Sequence, residues 1–179
     1  TVTTKYGSLA MGSTGANSAL FTAPVDFDPN NCTIEMYYRA LNLTDDGGLF
    51  FYGLSSQNTV KCHAYVTAAG ALTFIYSTGT GNTAYNIASP AGIITVGTYF
   101  ELCFEADVNQ RAARIYVDGV LVASGAMVPT RWNGTQDFRL AFARTSNTNR
   151  YSNGYIDEFR LSSGARYKGI NYTAHSAPF

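Results

Sequence analysis

The stretch "IYVDGVLVAS", residues 115–124, sets two apolar, β-branched runs on either side of Asp118-Gly119. Asp-Gly is the dipeptide of a type I′ turn, which needs positive φ at both central residues and matches the twist of two antiparallel strands. The stretch therefore predicts a β-hairpin. Its surroundings read the same way: "TYFELCFEADV" (98–108) and "RAARIYV" (111–117) alternate with period two around the turn residues Asn109 and Gln110. Farther upstream, "CTIEMYYRA" (32–40) puts Cys32, Ile34, Met36 and Tyr38 on one face and Thr33, Glu35, Tyr37 and Arg39 on the other.

Working outward, Gly, Asn, Asp or Pro cuts the same period every eight to twelve residues or so. "SLAM" and "ALFTA" flank the loop "GSTGAN", "DDGG" reads as a turn before "LFFYGLS", and "TAAG" joins "VKCHAYV" to "ALTFIYS". "TAYNIAS", "DFRLAFAR" and "GYIDEFRLS" bring the total to about twelve strands. Only "SGARYKG" fits a helical turn. With no linker, repeat or low-complexity segment, residues 1–179 read as a single all-β domain, a two-sheet antiparallel sandwich.

Composition narrows the function classes. Charged residues are 13% of the chain and aromatic ones 14%, so Ser, Thr, Asn and Gly must solubilise the surface. The 12 basic and 12 acidic side chains cancel, which leaves counterion release little to work with and excludes nucleic acid as a partner. No apolar run is long enough to span a bilayer, so membrane insertion is not expected. Cys32, Cys62 and Cys103 each sit in an apolar, strand-like run and read as buried free thiols.

The ordered set "TIEMYYRA", "TYFELCFEADV", "YVDGVLVASG" and the closing "GYIDEFRLSSGARY…YTAHSAPF" resembles the laminin-G-like branch of the concanavalin A-like lectin/glucanase superfamily. The ending, an "ID-x-x-R" strand followed by "ARY" and an aromatic-Pro-Phe tail, is similar to domains of bacteriophage virion proteins. The resemblance implies a jelly-roll sandwich on a phage tail fibre or capsid surface, or alternatively in a secreted, extracellular setting. Its partners would be glycans or other virion proteins, with homo-oligomerisation in a parent assembly.

"GYIDEFRLS" (154–162) raises a question of its own. Strict alternation groups Asp157 with Tyr155, Phe159 and Leu161, placing a carboxylate on an apolar face, where an unpaired charge costs several kcal/mol. The resemblance implies a structural calcium ion held by Asp157 and by backbone carbonyls of the first loop, Gly12 among them; such hard cations take six to eight oxygens. Hydrogen bonds from backbone N–H groups, or pairing with Arg160 or Arg166, would compensate Asp157 equally well.

The glucanases of this superfamily use paired carboxylates on one strand face, and no E-x-D-x-x-E spacing occurs here. Glu101 and Glu105 share a face but read as solvent-facing charges, and a glycoside hydrolase is the lesser alternative. His63 and His175, the two histidines, are not spaced for a zinc or Cys/His site. A non-catalytic carbohydrate-binding module fits better, with an assembly domain lacking any small ligand as the other reading. Sugar recognition wants aromatic faces beside amides and charges. The loops supply Tyr85 with Asn86, Trp132 with Asn133, and Asn147, Arg150 and Tyr151. Asp45 and Asp46 in "TDDGG" are taken as turn formers.

Overall fold

The computed structural model describes residues 11–14, 19–22, 27–53, 61–77, 83–129, 137–145 and 148–177. These form fourteen strands and no helix: β1 (Met11–Thr14), β2 (Ala19–Thr22), β3 (Asn31–Ala40), β4 (Gly47–Gly53), β5 (Lys61–Val66), β6 (Leu72–Ser77) and β7 (Thr83–Ala88) come first. The rest are β8 (Tyr99–Asp107), β9 (Ala112–Val117), β10 (Val120–Ala126), β11 (Asp137–Leu140), β12 (Phe142–Thr145), β13 (Thr148–Tyr151) and β14 (Asn153–Ser163). One six-stranded sheet has the order β1-β14-β3-β8-β9-β10, and a second has β2-β11-β4-β5-β6-β7. A two-stranded hairpin, β12-β13, stands apart, and every pairing among these strands is antiparallel. The expected two-sheet, twelve-strand sandwich is present, with the hairpin added to it.

The alternation in each strand decides what the sheets enclose. Ile34, Met36 and Tyr38 of β3 and Leu102, Phe104 and Ala106 of β8 point inward to meet Phe50, Phe74 and Phe138 of the second sheet. Phe104 crosses the gap in edge contact with Phe50, ring centroids 5.3 Å apart. Burying each such ring stabilises the fold by about 1.5–3 kcal/mol. The run "LFFY" in β4 is apolar without alternation because both of its faces are covered. A register irregularity between Gly48 and Phe50 sends Leu49 and Phe50 both to the core, while Phe51 packs outward against Phe142 of the hairpin at 5.5 Å.

The β9–β10 turn has φ 49° at Asp118 and 78° at Gly119, the type I′ geometry its sequence calls for. The thiols of Cys32, Cys62 and Cys103 are all buried and unpaired by disulfide. Burial pushes the Cys62 thiol up to about 12, against a hydrogen bond with Tyr85 that works the other way.

β14 corrects the reading of Asp157. Its register against β3 runs Ile156–Tyr38 and Asp157–Tyr37, then resumes at Arg160–Glu35 and Leu161–Ile34. Glu158 and Phe159 thus share the place opposite Met36, a β-bulge whose extra residue, Glu158, sits at φ 51°. The bulge separates residues that alternation would group: Phe159 and Leu161 pack on the core, whereas Asp157 lies beside Tyr37 on the outer face. Asp157 is buried there, and its Oδ1 accepts the Glu158 backbone N–H at 3.0 Å. The carboxylate never enters the apolar interior.

Candidate functional site

Two polar regions lie outside the core, one on each sheet. On the first sheet, Glu35 of β3, Glu101 and Glu105 of β8, and Arg114 and Tyr116 of β9 all point away from the core. The segment after β14 crosses them. It contains no helical turn; Ile170 N–H closes a turn on Tyr167 O at 3.0 Å instead. Glu105 accepts the backbone N–H of Tyr167 at 2.7 Å and of Lys168 at 3.0 Å, and pairs with Arg114 at 2.7 Å. Glu35 receives Arg160 through Nε and Nη2, both at 2.7 Å, and the Tyr167 hydroxyl at 2.5 Å. Glu101 accepts the Tyr37 and Tyr172 hydroxyls and the His175 N–H, and its Oε1 lies 2.9 Å from His175 Nδ1.

The expectation that Glu101 and Glu105 face solvent is therefore overturned: both are fully buried. The reason is that the tail lies over them, stacking Tyr167 on Tyr172 at 3.7 Å and placing Tyr172 N–H on Gly119 O. Gly119 is required twice over, by its positive φ and because a Cβ there would stand 2.0 Å from Tyr172 O. Burial alone would raise the Glu101 carboxyl, but the donors from His175 and Tyr172 outweigh it and hold the group below its ordinary value. Glu35, Glu101 and His175 bring ligand atoms within 4.8 Å of one another, the one such group among the described residues. All three already satisfy protein partners, so the cluster reads as a structural clamp.

The second region is open. The β3–β4 loop, the β5–β6 turn and the β12–β13 hairpin enclose a cleft of about 560 Å³ at the rim of the second sheet. Its lining includes Asp45, Asp46, Asn149, Arg150, Tyr151 and Asn153. Asp46 holds it together: Oδ1 accepts Ala68 N–H at 3.1 Å and Oδ2 accepts Arg150 Nε at 2.9 Å. The Arg150 guanidinium also lies over the Tyr65 ring, 4.8 Å from its centroid, a cation–π contact. Tyr151 is half-buried and meets Phe142 edge to face at 5.5 Å.

The hairpin can lie this close because of Gly48. A Cβ on Gly48 would come within 2.3 Å of Ala143 N and 2.4 Å of Arg150 O. The "GG" of "DDGG" therefore serves less as a turn than as a bare patch of strand for the hairpin backbone, and Asp46 is an ion-pair partner as well as a loop residue.

Of the residues singled out from sequence, Arg150 and Tyr151 line this cleft. Asn86 is exposed on β7, paired with Ile75 and away from the cleft lining. Tyr85 is a core residue, 2% exposed, with its hydroxyl donating to Pro29 O at 3.0 Å, and it offers no face to a ligand. Trp132, Asn133 and Asn147 lie outside the described residues. Gly12 of the edge strand β1 pairs with Tyr155 of β14, two positions from Asp157.

The sequence matches the laminin G family of the concanavalin A-like lectin/glucanases superfamily over residues 13–168. The chain belongs to this superfamily. Solved structures share the fold at low identity. The carbohydrate-binding module, CBM40, of the Ruminococcus gnavus IT-sialidase, bound to α2,3-sialyllactose, is 17% identical with a TM-score of 0.64, covering 78% of this chain and 79% of that one. Domains LG4-5 of the mouse laminin α1 chain give 16% and 0.62, covering 89% and 42%. A heptameric pentraxin from Limulus polyphemus gives 14% and 0.58, covering 78% and 67%. Comparison with curated proteins finds no match. As a lectin-like sandwich, the chain carries its open polar cleft on the second sheet and its clamp on the first. Among the described residues no helix is long and apolar enough to cross a membrane.

Proposed function

We propose that this domain is a non-catalytic glycan-binding module that takes its ligand in the rim cleft. The observation that carries the reading is the convergence of Asp45, Asp46, Asn149, Arg150 and Tyr151 on one open cleft of about 560 Å³. Carboxylates and amides there offer acceptors and donors to sugar hydroxyls, and a pocket of this size buries a small oligosaccharide. Structural neighbours that bind sialyllactose support the reading by analogy of fold. Its non-catalytic character is supported by the buried carboxylates, which are engaged by donors of their own chain rather than open to a substrate.

The setting we propose is a phage virion surface, on the resemblance of the closing "IDEFRLSSGARY" segment to virion proteins. Calcium at Asp157 with the Gly12 carbonyl belongs to the proposal too, supported by the pairing of Gly12 with Tyr155, two positions from Asp157 on the neighbouring strand. Unfolding curves in EDTA and in excess calcium test the ion, and superimposable curves would remove it.

Glycan-array screening of the purified chain tests the module, followed by titration calorimetry on the strongest ligand. Binding is expected for at least one oligosaccharide, and Arg150→Ala is expected to weaken it by on the order of tenfold or more, the effect of losing a charge-assisted hydrogen bond. Binding that survives Arg150→Ala and Tyr151→Ala unchanged would move the site elsewhere.

A further inference from the structure

Resting on that reading, the geometry points to the class of glycan: we propose that the cleft takes oligosaccharides of hydroxyl- and amine-bearing sugars and rejects carboxylated ones. Recognition of a sugar carboxylate calls for a cation, best a guanidinium presenting two parallel N–H groups as a fork. Arg150 is the one cation lining the cleft, and both of its forks are broken. On one edge, Nε is occupied by Asp46 Oδ2 at 2.9 Å. On the other, Nη1 is buried out of solvent contact and has no acceptor. What remains for a ligand is Nη2 alone, beside a carboxylate that has already neutralised the guanidinium.

The rest of the lining points the same way. Asp45 is exposed, and no basic side chain among the described lining residues offsets it. Two carboxylates against one engaged guanidinium leave the cleft negative, which opposes an acidic sugar and favours hydroxyl and ammonium donors. Asn149 and Asn153 add neutral amides suited to hydroxyls. The expectation thus departs from the sialyllactose bound by the CBM40 neighbours, whose likeness extends to the fold.

The test is an array of neutral and amino-sugar oligosaccharides, each printed beside its sialylated or uronate-bearing counterpart, probed with the full chain. Neutral or amine-bearing members are expected to bind on the order of tenfold tighter than their acidic counterparts at low salt. Asp46→Ala removes the acceptor and frees the Nε–Nη2 fork, so it should bring the two members of each pair toward equal affinity; circular dichroism would confirm that the variant folds. Acidic members binding as tightly as neutral ones in the parent chain would overturn the selectivity and leave glycan binding standing. No binding to either member would overturn both.

Discussion

The clamp on the first sheet and the cleft on the second use the same chemistry, carboxylates meeting arginines, tyrosines and backbone N–H groups, to opposite ends. In the clamp every carboxylate is fully buried and meets several donors; Glu105 alone accepts from Arg114, Tyr167 and Lys168. In the cleft the Asp46–Arg150 pair keeps part of its surface in water, with side chains 30% and 19% exposed. A buried carboxylate must be saturated, since leaving it unsatisfied costs several kcal/mol, and a saturated group has nothing left for a ligand. A half-open pair gives up little stability and keeps capacity for a partner. Burial therefore separates the residues that hold this molecule together from those that can recognise something outside it.

Three substitutions or conditions sharpen that contrast. The largest effect is expected from Glu105→Ala, which takes from buried Arg114 its nearest carboxylate, leaving Asp107 Oδ2 at 3.6 Å, and strips two backbone N–H groups of the tail of their acceptor. Urea unfolding should show a loss of about 3–5 kcal/mol, with glycan affinity of the folded fraction unchanged. A cost below about 1 kcal/mol, the range of an exposed pair, would mean that the tail does not depend on the clamp.

Gly48→Ala works on the opposite region. The added methyl would collide with the hairpin backbone at Ala143 and Arg150, costing about 1–3 kcal/mol and displacing Arg150. Calorimetry is expected to show loss of glycan binding in a protein that still folds. Retained binding would break the link between hairpin position and recognition.

The smallest effect is a pH dependence. The folded-state Glu101 carboxyl lies below its unfolded value, so the stability it contributes is present above that unfolded value and is lost as the pH falls through the folded one. The thermal unfolding temperature should therefore fall as the pH drops below the usual carboxylate range, and Glu101→Gln should flatten that part of the profile while lowering stability at neutral pH. An identical acid limb in the variant would assign the loss to other carboxylates.

The strands were legible because their signals are local. Period-two alternation and the Asp118-Gly119 dipeptide each act within a few residues, and both carry through to the fold. The β14 bulge was not legible: nothing in "YIDEFRL" announces an extra residue at Glu158, which depends on how Phe159 and Leu161 must reach the core opposite Met36 and Ile34. The tail was missed for a similar reason. Its Tyr167, Tyr172 and His175 find Glu35, Glu101 and Glu105 across a long sequence separation, with no periodicity to mark the pairing. In the cleft, a turn role was enough to account for Asp46, so its bond to Arg150 across 104 positions stayed hidden. Tyr85 could have been placed from sequence, since "TAYNIAS" puts it on the same face as Ile87, and that face is the core.

The position of β14 between β1 and β3 has a consequence for how the chain comes to be made. Synthesis delivers β14 after the thirteen other strands of the described residues, yet the first sheet is continuous only once β14 is in place. Until then β3 presents a bare hydrogen-bonding edge, β1 has no strand to pair with in this sheet, and three glutamates wait uncovered on β3 and β8. An unprotected edge of this kind invites pairing with another chain. A nascent copy that lacks β14 is thus the form most prone to aggregate, and the arrival of β14 and the segment after it is the step that makes the domain safe.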